Sequence, residues 1–332
     1  MTSANSDSAV PLSRPAAARD AAGPVRNLLI LHTPVAQDLS DWVEVRRLVE
    51  ERARDIEVRI GTNGAANSVT RRWQISRPSL VFSPVPLHIY EPKGGTVYCG
   101  RALSKLEQIE RLARHGLPVP LTSRLTPDLS LDLARWGRYA VIKPVLGRQG
   151  EDVHLVRTES VAARCAELTQ NGTREMLVQP YVEHTENGYP TEYRVMTVFG
   201  RVVYSARNSW AMPRQTTLED IANDPNGIIA SNSKQFGRAR TVSNDPEIIS
   251  LGERAHAAFP DIPVLGVDVV RETAGRGLFL MEVNPKGDTW HLSSLLRKTA
   301  FTDQHAQELY AQFGALDRVA QVLIEKTRAE AS

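Results

Sequence analysis

The sequence predicts a mixed α/β (α+β) fold. Over residues 27–100, short apolar segments (NLLILHT, IEVRI and SLVFSPV) alternate with a helical stretch at 41–54. This alternation indicates a sheet covered by helices. From residue 138 onward, the pattern changes to paired apolar strands with intervening helices. We therefore expect an N-terminal α/β region followed by a region of paired strands.

The elements of the second region follow from apolar runs and from the residues that end them. The basic helix expected at 102–115 is closed by Gly116 and Pro118. The polar stretch at 210–242 is expected to be irregular, and loops of such length are usually functional or mobile. Further strands are expected at 139–143, 152–156, 176–182, 192–199 and 202–207. Further helices are expected at 160–170, 247–259 and 303–328.

The composition is that of an ordinary soluble protein. The chain has 332 residues, of which 42% are hydrophobic and 23% charged, and its formal net charge is +2. This balance gives no argument for a nucleic-acid or membrane partner, and no apolar run approaches the ~18 residues of a membrane span. Residues 1–25 lack the apolar core of a secretory signal and are expected to be a disordered tail. Cys99 and Cys165 have no metal or redox spacing, which favours free thiols in the cytoplasm.

A hairpin near the C-terminus is the most informative feature of the chain. The segments 263–271 (PVLGVDVVR) and 278–284 (LFLMEVN) predict two strands joined by a Gly-containing turn. If Glu272 pairs with Leu278 across that turn, a carboxylate of the first strand lies directly opposite a carboxylate of the second. The candidate metal site depends on this register.

In that register, Asp268 lies opposite Glu282, and Asn284 shares their face of the sheet. Two carboxylates and an amide oxygen between apolar neighbours suit a hard divalent cation such as magnesium. A solvated hairpin with a chance pairing of the two acids is the alternative interpretation.

A second candidate is the segment around Lys143, AVIKPVLGRQGEDV. Lys143 ends a β-rich run, and Gly147 and Gly150 lie in the loop that returns the chain. Glycines let backbone N–H groups approach phosphate oxygens closely, and a lysine at the strand end adds a point charge. No helix opens after the glycines, so the segment is neither a Walker loop nor a dinucleotide fingerprint. A tight turn with an exposed lysine is the alternative.

The segment LVQPYV at 177–182 predicts an apolar strand whose end can offer an adenine a donor and an acceptor. Pro180 cannot donate, so the amide contact must come from Tyr181 or Val182. A plain core strand is the alternative.

Charged residues also follow in the next predicted hairpin. Glu192 and Arg194 share a face of one strand, and Arg207 on the partner strand is expected to lie near them. An arginine there can steady an oxyanion or a transferred phosphoryl group, and a cross-strand ion pair is the alternative. Basic residues at 214, 234, 238 and 240 favour a solvated loop over a grip on an acidic substrate.

Taken in order, these segments resemble the ATP-grasp superfamily and, within it, the RimK-like amino-acid and peptide ligases. The resemblance covers roughly 104–294 and rests on SKLEQIERLARHGLPVPLT, VIKPVLGRQGEDV, LVQPYV, EYRVMTVFGRVVYSAR, SNSKQFG, GVDVV and MEVNP. It implies an ATP-grasp fold, in which a pre-ATP-grasp α/β domain precedes central and C-terminal antiparallel-sheet subdomains that sandwich ATP. The implied division is a tail at 1–25, the N-terminal domain at 26–101, the central lid subdomain at 102–182 and the C-terminal subdomain at 183–332.

The resemblance also implies roles by position. Lys105 and Lys143 resemble lysines that contact ATP, and Asp268, Glu282 and Asn284 match magnesium ligands. The resemblance implies a phosphate lid at Gly147, Arg148, Gln149 and Gly150. It implies an adenine hinge at Gln179, Pro180, Tyr181 and Val182. Glu192 is implied as the ribose contact and Asn232 as the γ-phosphate contact. The implied cofactors are ATP and Mg²⁺, expected as two ions, with Mn²⁺ as an alternative metal.

The implied activity is ATP-dependent carbon–nitrogen ligation. A carboxylate attacks the γ-phosphate of ATP to give an acylphosphate, and an amine then displaces phosphate, with Arg207 as the catalytic candidate. The acid and the amine are expected to be small molecules, amino acids or peptides. Departures from the family pattern at Pro180, at Ala230 and in the run PKGDTWH at 285–291 bear on the identity of these substrates.

Two other functions remain open from the sequence. One is a phosphotransferase that stops at phosphoryl transfer, and the other is a non-catalytic ATP-binding regulator. A homodimer is a further expectation, because members of the family often pair through their sheets and terminal helices.

Overall fold

The computed structural model contains three β-sheets among the residues it describes. The described ranges are 23–64, 68–147, 151–170, 174–224, 237–273, 277–287, 292–295 and 301–332. Most of the predicted N-terminal tail lies outside them. Within these ranges, no helix combines the length and the apolar composition needed to cross a lipid bilayer.

The N-terminal sheet is parallel throughout, with the strand order β2–β1–β3–β4. Its elements are β1 (Arg26–His32), α1 (Leu39–Arg52), β2 (Ile56–Thr62), α2 (Ser68–Gln74), β3 (Ser79–Ser83) and β4 (Thr96–Cys99). Trp42 of α1 packs with Leu28 and Ile30 on one face of β1, and Trp73 of α2 packs with Leu29 on the other. The predicted α/β character of this region is confirmed.

The central sheet is antiparallel, with the strand order β5–β8–β6–β7. Its elements are α3 (Lys105–Arg114), β5 (Ser123–Arg124), α4 (Leu133–Trp136), β6 (Tyr139–Pro144), β7 (His154–Arg157), a 3₁₀ turn (Thr158–Ser160), α5 (Val161–Gln170) and β8 (Met176–Pro180). Ile142, Val156, Val161 and Val178 form its core. Lys143 and the predicted hinge therefore stand at the ends of two neighbouring strands, β6 and β8.

The C-terminal sheet is antiparallel, with the order β12–β11–β10–β13–β14 and a short strand, β9, paired to β10. Its elements are β9 (Thr185–Glu186), β10 (Tyr189–Val198), β11 (Arg201–Trp210), α6 (Leu218–Asn223), β12 (Arg238–Val242), α7 (Pro246–His256), β13 (Val264–Arg271), β14 (Leu278–Asn284), α8 (Asp303–Gln312) and α9 (Ala315–Glu330). The sequence predicted that 210–242 is irregular. This is wrong for Leu218–Asn223 and Arg238–Val242, which form α6 and β12.

Alternation along β10 divides this sheet into two faces. On one face, Val195 packs with Ile248 of α7 in a common core. On the other, Met196 belongs to a core that includes Trp42 of α1 and Leu323 of α9. The N-terminal region therefore packs on the second face. The side chains of β10 that point toward it are those on the same face as Met196, opposite the face of Val195.

The predicted helix at 303–328 is two helices, so the expectation of one continuous helix is wrong. Gly314 separates α8 from α9 and has a φ of 62°, a left-handed conformation that glycine adopts without the steric cost of a Cβ atom. The apolar periodicity continues across the break, which is why the sequence pattern does not show it.

His256, at the end of α7, is a buried titratable group. Its side chain is 3% exposed, its Nε2 donates to the carbonyl of Ile262 at 2.9 Å, and its Nδ1 lies 2.7 Å from the Thr197 hydroxyl. Burial lowers the pKa of His256 from 6.5 to about 4, although the hydrogen bond to Ile262 acts in the opposite direction. The imidazole is therefore neutral in the folded protein at pH 7.

We predict that this histidine makes the fold acid-sensitive. The unfolded chain binds a proton as the pH falls through 6.5, whereas the folded chain does so only near 4, so stability is complete above 6.5 and is lost between these values. The loss from this group reaches about 3 kcal/mol below the lower pKa. Urea unfolding at about pH 7, 6 and 5 should show a steeper loss in the wild type than in His256→Gln. Equal slopes in the two proteins would contradict the assignment.

Candidate active site

The β13–β14 hairpin brings the two predicted carboxylates together, although by a different register than expected. Arg271, not Glu272, pairs with Leu278, which by itself would place Asp268 opposite Met281. A β-bulge after Asp268 makes Met281 an extra residue in the ladder, and Asp268 pairs with Glu282 as a result. The predicted turn register is wrong by one residue, and the bulge restores the pairing because it shifts the alternation of β14 by one position.

An arginine whose side chain is only 12% exposed neutralises the first carboxylate. Arg194 of β10 pairs with Asp268 across the ladder, and its guanidinium donates to both carboxylate oxygens, at 2.7 and 2.8 Å. Burial opposes the charge of Arg194, but Asp268 holds the pKa of the guanidinium above its usual value. The amide nitrogen of Asn284 also donates to Asp268, at 3.0 Å.

A lysine from another element neutralises the second carboxylate. The Nζ of Lys105, in the first turn of α3, lies 3.4 Å from Glu282 Oε1 and donates to the carbonyl of Gly147 at 3.1 Å. Ser104 caps α3 by accepting a hydrogen bond from Glu107 N, which fixes where the helix begins. Lys105 therefore links the hairpin to the first described residue of the predicted phosphate lid.

Lys143 completes the group of charges. It is only 8% exposed, and burial lowers its pKa to about 8, while Glu282 and Asp268 raise the pKa and Lys105 lowers it. These couplings show that Lys143 of β6 lies within electrostatic reach of all three other residues. The alternative of an exposed lysine in a tight turn is wrong, because the Lys143 side chain is buried. Asp268, Glu282, Lys105 and Lys143 thus converge from three separate parts of the chain.

The predicted adenine hinge begins in the last two residues of β8 and continues past the strand, and its backbone groups are partly committed to the sheet. The amide of Tyr181 donates to the carbonyl of Tyr139 at 2.9 Å. The sequence allowed either the Tyr181 amide or the Val182 amide to contact an adenine. Because the Tyr181 amide donates within the sheet, the Val182 amide is the remaining candidate. The side chain of Gln179 is buried and donates to the Thr122 hydroxyl at 2.8 Å, so its amide group supports the strand end.

Glu192 lies on the same face of β10 as Arg194, as expected from strand alternation. Its carboxylate is 3.5 Å from the guanidinium of Arg238. Arg238 and Arg240 belong to the edge strand β12, so the expectation of a solvated basic loop is wrong for these two residues. Burial lowers the pKa of Arg240, and the nearby charges of Arg238 and Arg194 lower it further.

Arg207 lies on the opposite face of the sheet. It pairs with Tyr193, the neighbour of Arg194, so its side chain points away from Asp268. There its Nη2 lies 2.8 Å from a carboxylate oxygen of Glu186. The expectation that Arg207 shares the face of Glu192 and Arg194 is wrong.

The sequence analysis named Arg194 beside Glu192 but chose Arg207 as the catalytic candidate. The signal that could have found Arg194 is its alignment with Asp268, which requires knowing that β10 and β13 are neighbours in the sheet. Of the remaining predicted positions, Arg148, Gln149, Gly150 and Asn232 lie outside the described residues.

Two glycines join the N-terminal region to the segment that follows the hairpin. Gly287 has a φ of 67°, and a Cβ atom there would lie 2.1 Å from the carbonyl oxygen of Pro84. A Cβ atom on Gly100 would lie 2.8 Å from the carbonyl oxygens of Pro84 and Pro285. Only glycine permits this close approach of backbones, which places the N-terminal region directly beside the residues after Asn284.

The donor set fits a magnesium ion that is shared with phosphate oxygens. Among the described residues, no cluster of three or more His, Cys, Asp or Glu side chains could hold a metal by itself. Magnesium bound with nucleotides uses one or two carboxylates and completes its octahedron with phosphate and water oxygens. Asp268 and Glu282, with the amide oxygen of Asn284, provide that partial shell.

Comparisons with known proteins show what the chain is similar to. A family model for the RimK-like ATP-grasp domain matches residues 102–300. The chain is 31% identical over 196 residues to a probable alpha-L-glutamate ligase of Serratia proteamaculans (strain 568), an alignment that covers 58% of this chain and 59% of that protein. It is 30% identical over 196 residues to the ribosomal protein bS6–L-glutamate ligase of Shigella flexneri serotype 5b (strain 8401), with 58% of this chain and 59% of that protein covered. The chain thus spans about 59% of the length of these curated relatives.

Among solved structures, the ATP-grasp ligase PsnB in complex with its minimal precursor has the same fold. Its TM-score is 0.54 at 15% sequence identity, and the match covers 91% of this chain and 100% of PsnB. The family model covers more than half of the chain and includes every residue of the charge group described above. The chain therefore belongs to the RimK-like ATP-grasp family.

Proposed function

We propose that this protein is an ATP-dependent ligase that joins a carboxylate to an amine through an acylphosphate. The observation that carries the proposal is the convergence of Asp268 and Glu282 with Lys105 and Lys143 at the junction of two sheets. Buried charges of both signs are costly unless they are paired or bind a ligand. A triphosphate with magnesium supplies charges that match both the lysines and the carboxylates.

Each residue has a distinct task in this proposal. Lys143 and Lys105 hold the phosphates in line with the attacking carboxylate. Asp268, Glu282 and Asn284 hold magnesium, which when bound offsets the charge that develops on the transferred phosphoryl group. Arg194 does not touch the phosphates in this proposal; its two hydrogen bonds orient Asp268.

The nucleoside end of ATP is proposed to bind at the hinge. Val182 N donates to the adenine, and the carbonyl of Pro180 accepts from it, because the Tyr181 amide already donates to Tyr139. Glu192 binds the ribose hydroxyls, and the glycine loop that begins at Gly147 covers the phosphates and excludes water from the acylphosphate.

The relatives support ligation as the reaction class, since their names describe glutamate ligases. We propose small-molecule or peptide carboxylates and amines as the substrates and the cytoplasm as the compartment, which agrees with Cys99 and Cys165 being free thiols. We also propose the domain division at 26–101, 102–182 and 183–332, because each of these ranges contains one of the three sheets.

An ADP-release screen tests the function. Purified protein is incubated with ATP, Mg²⁺ and pairs of amino acids or short peptides, and products are identified by mass. ADP formation that requires both a carboxylic acid and an amine supports ligation. ADP formation with the acid alone indicates a phosphotransferase, and ATP binding without ADP across the screen indicates a regulator; either result contradicts the proposal.

Lys143→Ala tests whether Lys143 contributes to the ATP site. Loss of a charged hydrogen bond to phosphate should raise the KM for ATP at least about tenfold. Lys93→Ala, at an exposed lysine of the N-terminal region that pairs with Glu91, should leave the KM for ATP unchanged. ADP release by Lys143→Ala at the wild-type KM would remove Lys143 from the ATP site.

Asp268→Asn should abolish magnesium-dependent turnover and also destabilise the protein. Arg194 neutralises Asp268, so the change leaves a largely buried guanidinium without its counter-ion. We expect a loss of about 2–3 kcal/mol in the free energy of unfolding. Glu282→Gln should abolish turnover with a smaller loss of stability, because Glu282 is more exposed and its lysine partner is 3.4 Å away. Chemical denaturation measures both variants, and equal stability losses would contradict the different roles.

Arg194→Lys and Arg207→Ala separate the two arginines. Lysine cannot donate to both oxygens of Asp268 as the guanidinium does, so Arg194→Lys should raise the Mg²⁺ concentration for half-maximal turnover about 10- to 100-fold. Arg207→Ala should keep the wild-type Mg²⁺ dependence, because its side chain is on the other face of the sheet. A Mg²⁺ dependence altered in Arg207→Ala and not in Arg194→Lys would reverse the assignment.

A further inference from the structure

The segment that follows β11 crosses to the adenine hinge. Its described part comprises residues 211–224 and includes α6. Two charged side chains of this segment, Arg214 and Glu219, bind residues of the hinge and of the central sheet. The expectation that Arg214 belongs to a solvated basic loop is therefore wrong, because its side chain is only 11% exposed.

Arg214 holds both neighbours of Val182, the proposed adenine donor. Its Nη1 donates to Glu183 Oε2 at 2.7 Å, and its Nη2 donates to the Tyr181 hydroxyl at 2.8 Å. The guanidinium carbon also lies 5.9 Å from the centre of the Tyr181 ring. The backbone N–H of Arg214 donates to the carbonyl of Gly188 at 2.9 Å, which fixes the segment itself. One guanidinium therefore restrains the side chains on either side of Val182.

The contact between Arg214 and Glu183 is strengthened by partial burial. Burial raises the pKa of Glu183, but the hydrogen bond and the charge of Arg214 outweigh it and lower the pKa below its usual value. Burial lowers the pKa of Arg214, and Glu183 and Tyr181 raise it above its usual value. Both side chains are therefore charged at pH 7. A charge-assisted pair of this kind is stronger than an ion pair at an exposed surface.

Glu219 holds the other partner of the hinge. Its Oε2 accepts from the Tyr139 hydroxyl at 2.7 Å and from Arg138 at 2.8 Å, and its Oε1 accepts from Arg157. The carbonyl of Tyr139 is the acceptor of the Tyr181 amide, at 2.9 Å. The segment thus binds both tyrosines that this backbone hydrogen bond joins.

These contacts restrict the orientation of the Val182 amide. Its N–H belongs to the planar peptide unit that joins Val182 to Tyr181, so its direction depends on the backbone rotations beside that unit. Holding the side chains of Tyr181 and Glu183 limits these rotations. A donor that is already oriented loses less conformational freedom when the base binds.

We propose that Arg214 is a positioning residue for recognition of the nucleotide base. It holds Tyr181 and Glu183 so that the Val182 amide meets the adenine in one orientation, and Glu219 supports it by fixing the same segment to Tyr139. The inference rests on the proposed function, because that function assigns the adenine to the hinge. It adds a specificity determinant from outside the hinge itself.

The affinities of the full chain for ATP and inosine triphosphate, each measured by calorimetry with Mg²⁺, test the proposal. Inosine triphosphate has the same ribose and phosphates, but it carries a carbonyl oxygen in place of the 6-amino group and a proton on N1. We expect the wild type to bind ATP at least about tenfold more tightly. Equal affinities in the wild type would overturn both the hinge assignment and the inference.

Arg214→Gln should weaken ATP binding and leave the affinity for inosine triphosphate nearly unchanged, so the ratio of the two affinities should fall about three- to tenfold. Arg111→Gln is the matched control. Arg111 also pairs with two carboxylates, at 2.9 and 3.1 Å, and lies over an aromatic ring, that of Phe259. Its substitution should keep the wild-type ratio. A wild-type ratio in Arg214→Gln, including an equal loss of affinity for both nucleotides, is the result of a merely structural ion pair and would overturn the proposal.

Glu219→Ala decides the proposal if Arg214→Gln does not fold. It releases α6 from Tyr139, so the affinity ratio should fall by a smaller amount, about threefold. An unchanged ratio in that variant would overturn the inference.

Failure of the inference can be told apart from failure of the proposed function. Ligation by the wild type, with a ratio that neither variant changes, would keep the function and remove Arg214 as a positioning residue. ADP release with a carboxylic acid alone, together with a lowered ratio in Arg214→Gln, would overturn the ligase function and keep the role of Arg214.

Discussion

The bidentate ion pair between Arg194 and Asp268 is the interaction on which the proposed site depends. It joins two neighbouring strands of the C-terminal sheet at a point where a lone carboxylate would be strongly disfavoured by burial. The fork of the guanidinium fixes the orientation of the carboxylate as well as its charge. Asp268 is therefore held in one position before any ligand arrives.

The charges around this pair come from separate elements of the chain and nearly balance. Two carboxylates, Asp268 and Glu282, are accompanied by Arg194, Lys105 and Lys143. Such a group has a small positive excess, which suits an anionic phosphate chain, and the carboxylates suit the cation that accompanies it. The lysines belong to α3 and β6 and the carboxylates to the hairpin, so the ion pair of Lys105 with Glu282 joins separate elements of the chain.

The N-terminal region is tied to this group by backbone contact rather than by charge. Gly100 and Gly287 allow the Pro84 carbonyl to approach the segment after Asn284 more closely than any side chain would permit. The contact therefore holds the N-terminal region beside the residues that follow the hairpin.

The sequence by itself determined the parts that depend on local periodicity: the alternating strands and helices of the N-terminal region, the hairpin, and the placement of Lys143 at a strand end. It could not determine which strands are neighbours, because pairing joins residues far apart in the chain. For that reason the pairing of Arg194 with Asp268 was missed and Arg207 was chosen as the catalytic candidate, and one residue of alternation separates the faces of the two arginines. The bulge at Met281 and the break at Gly314 interrupt patterns that continue in the sequence. Only the tertiary structure, through the packing of separate sheets and the neutralisation of buried charge, decided how these residues meet.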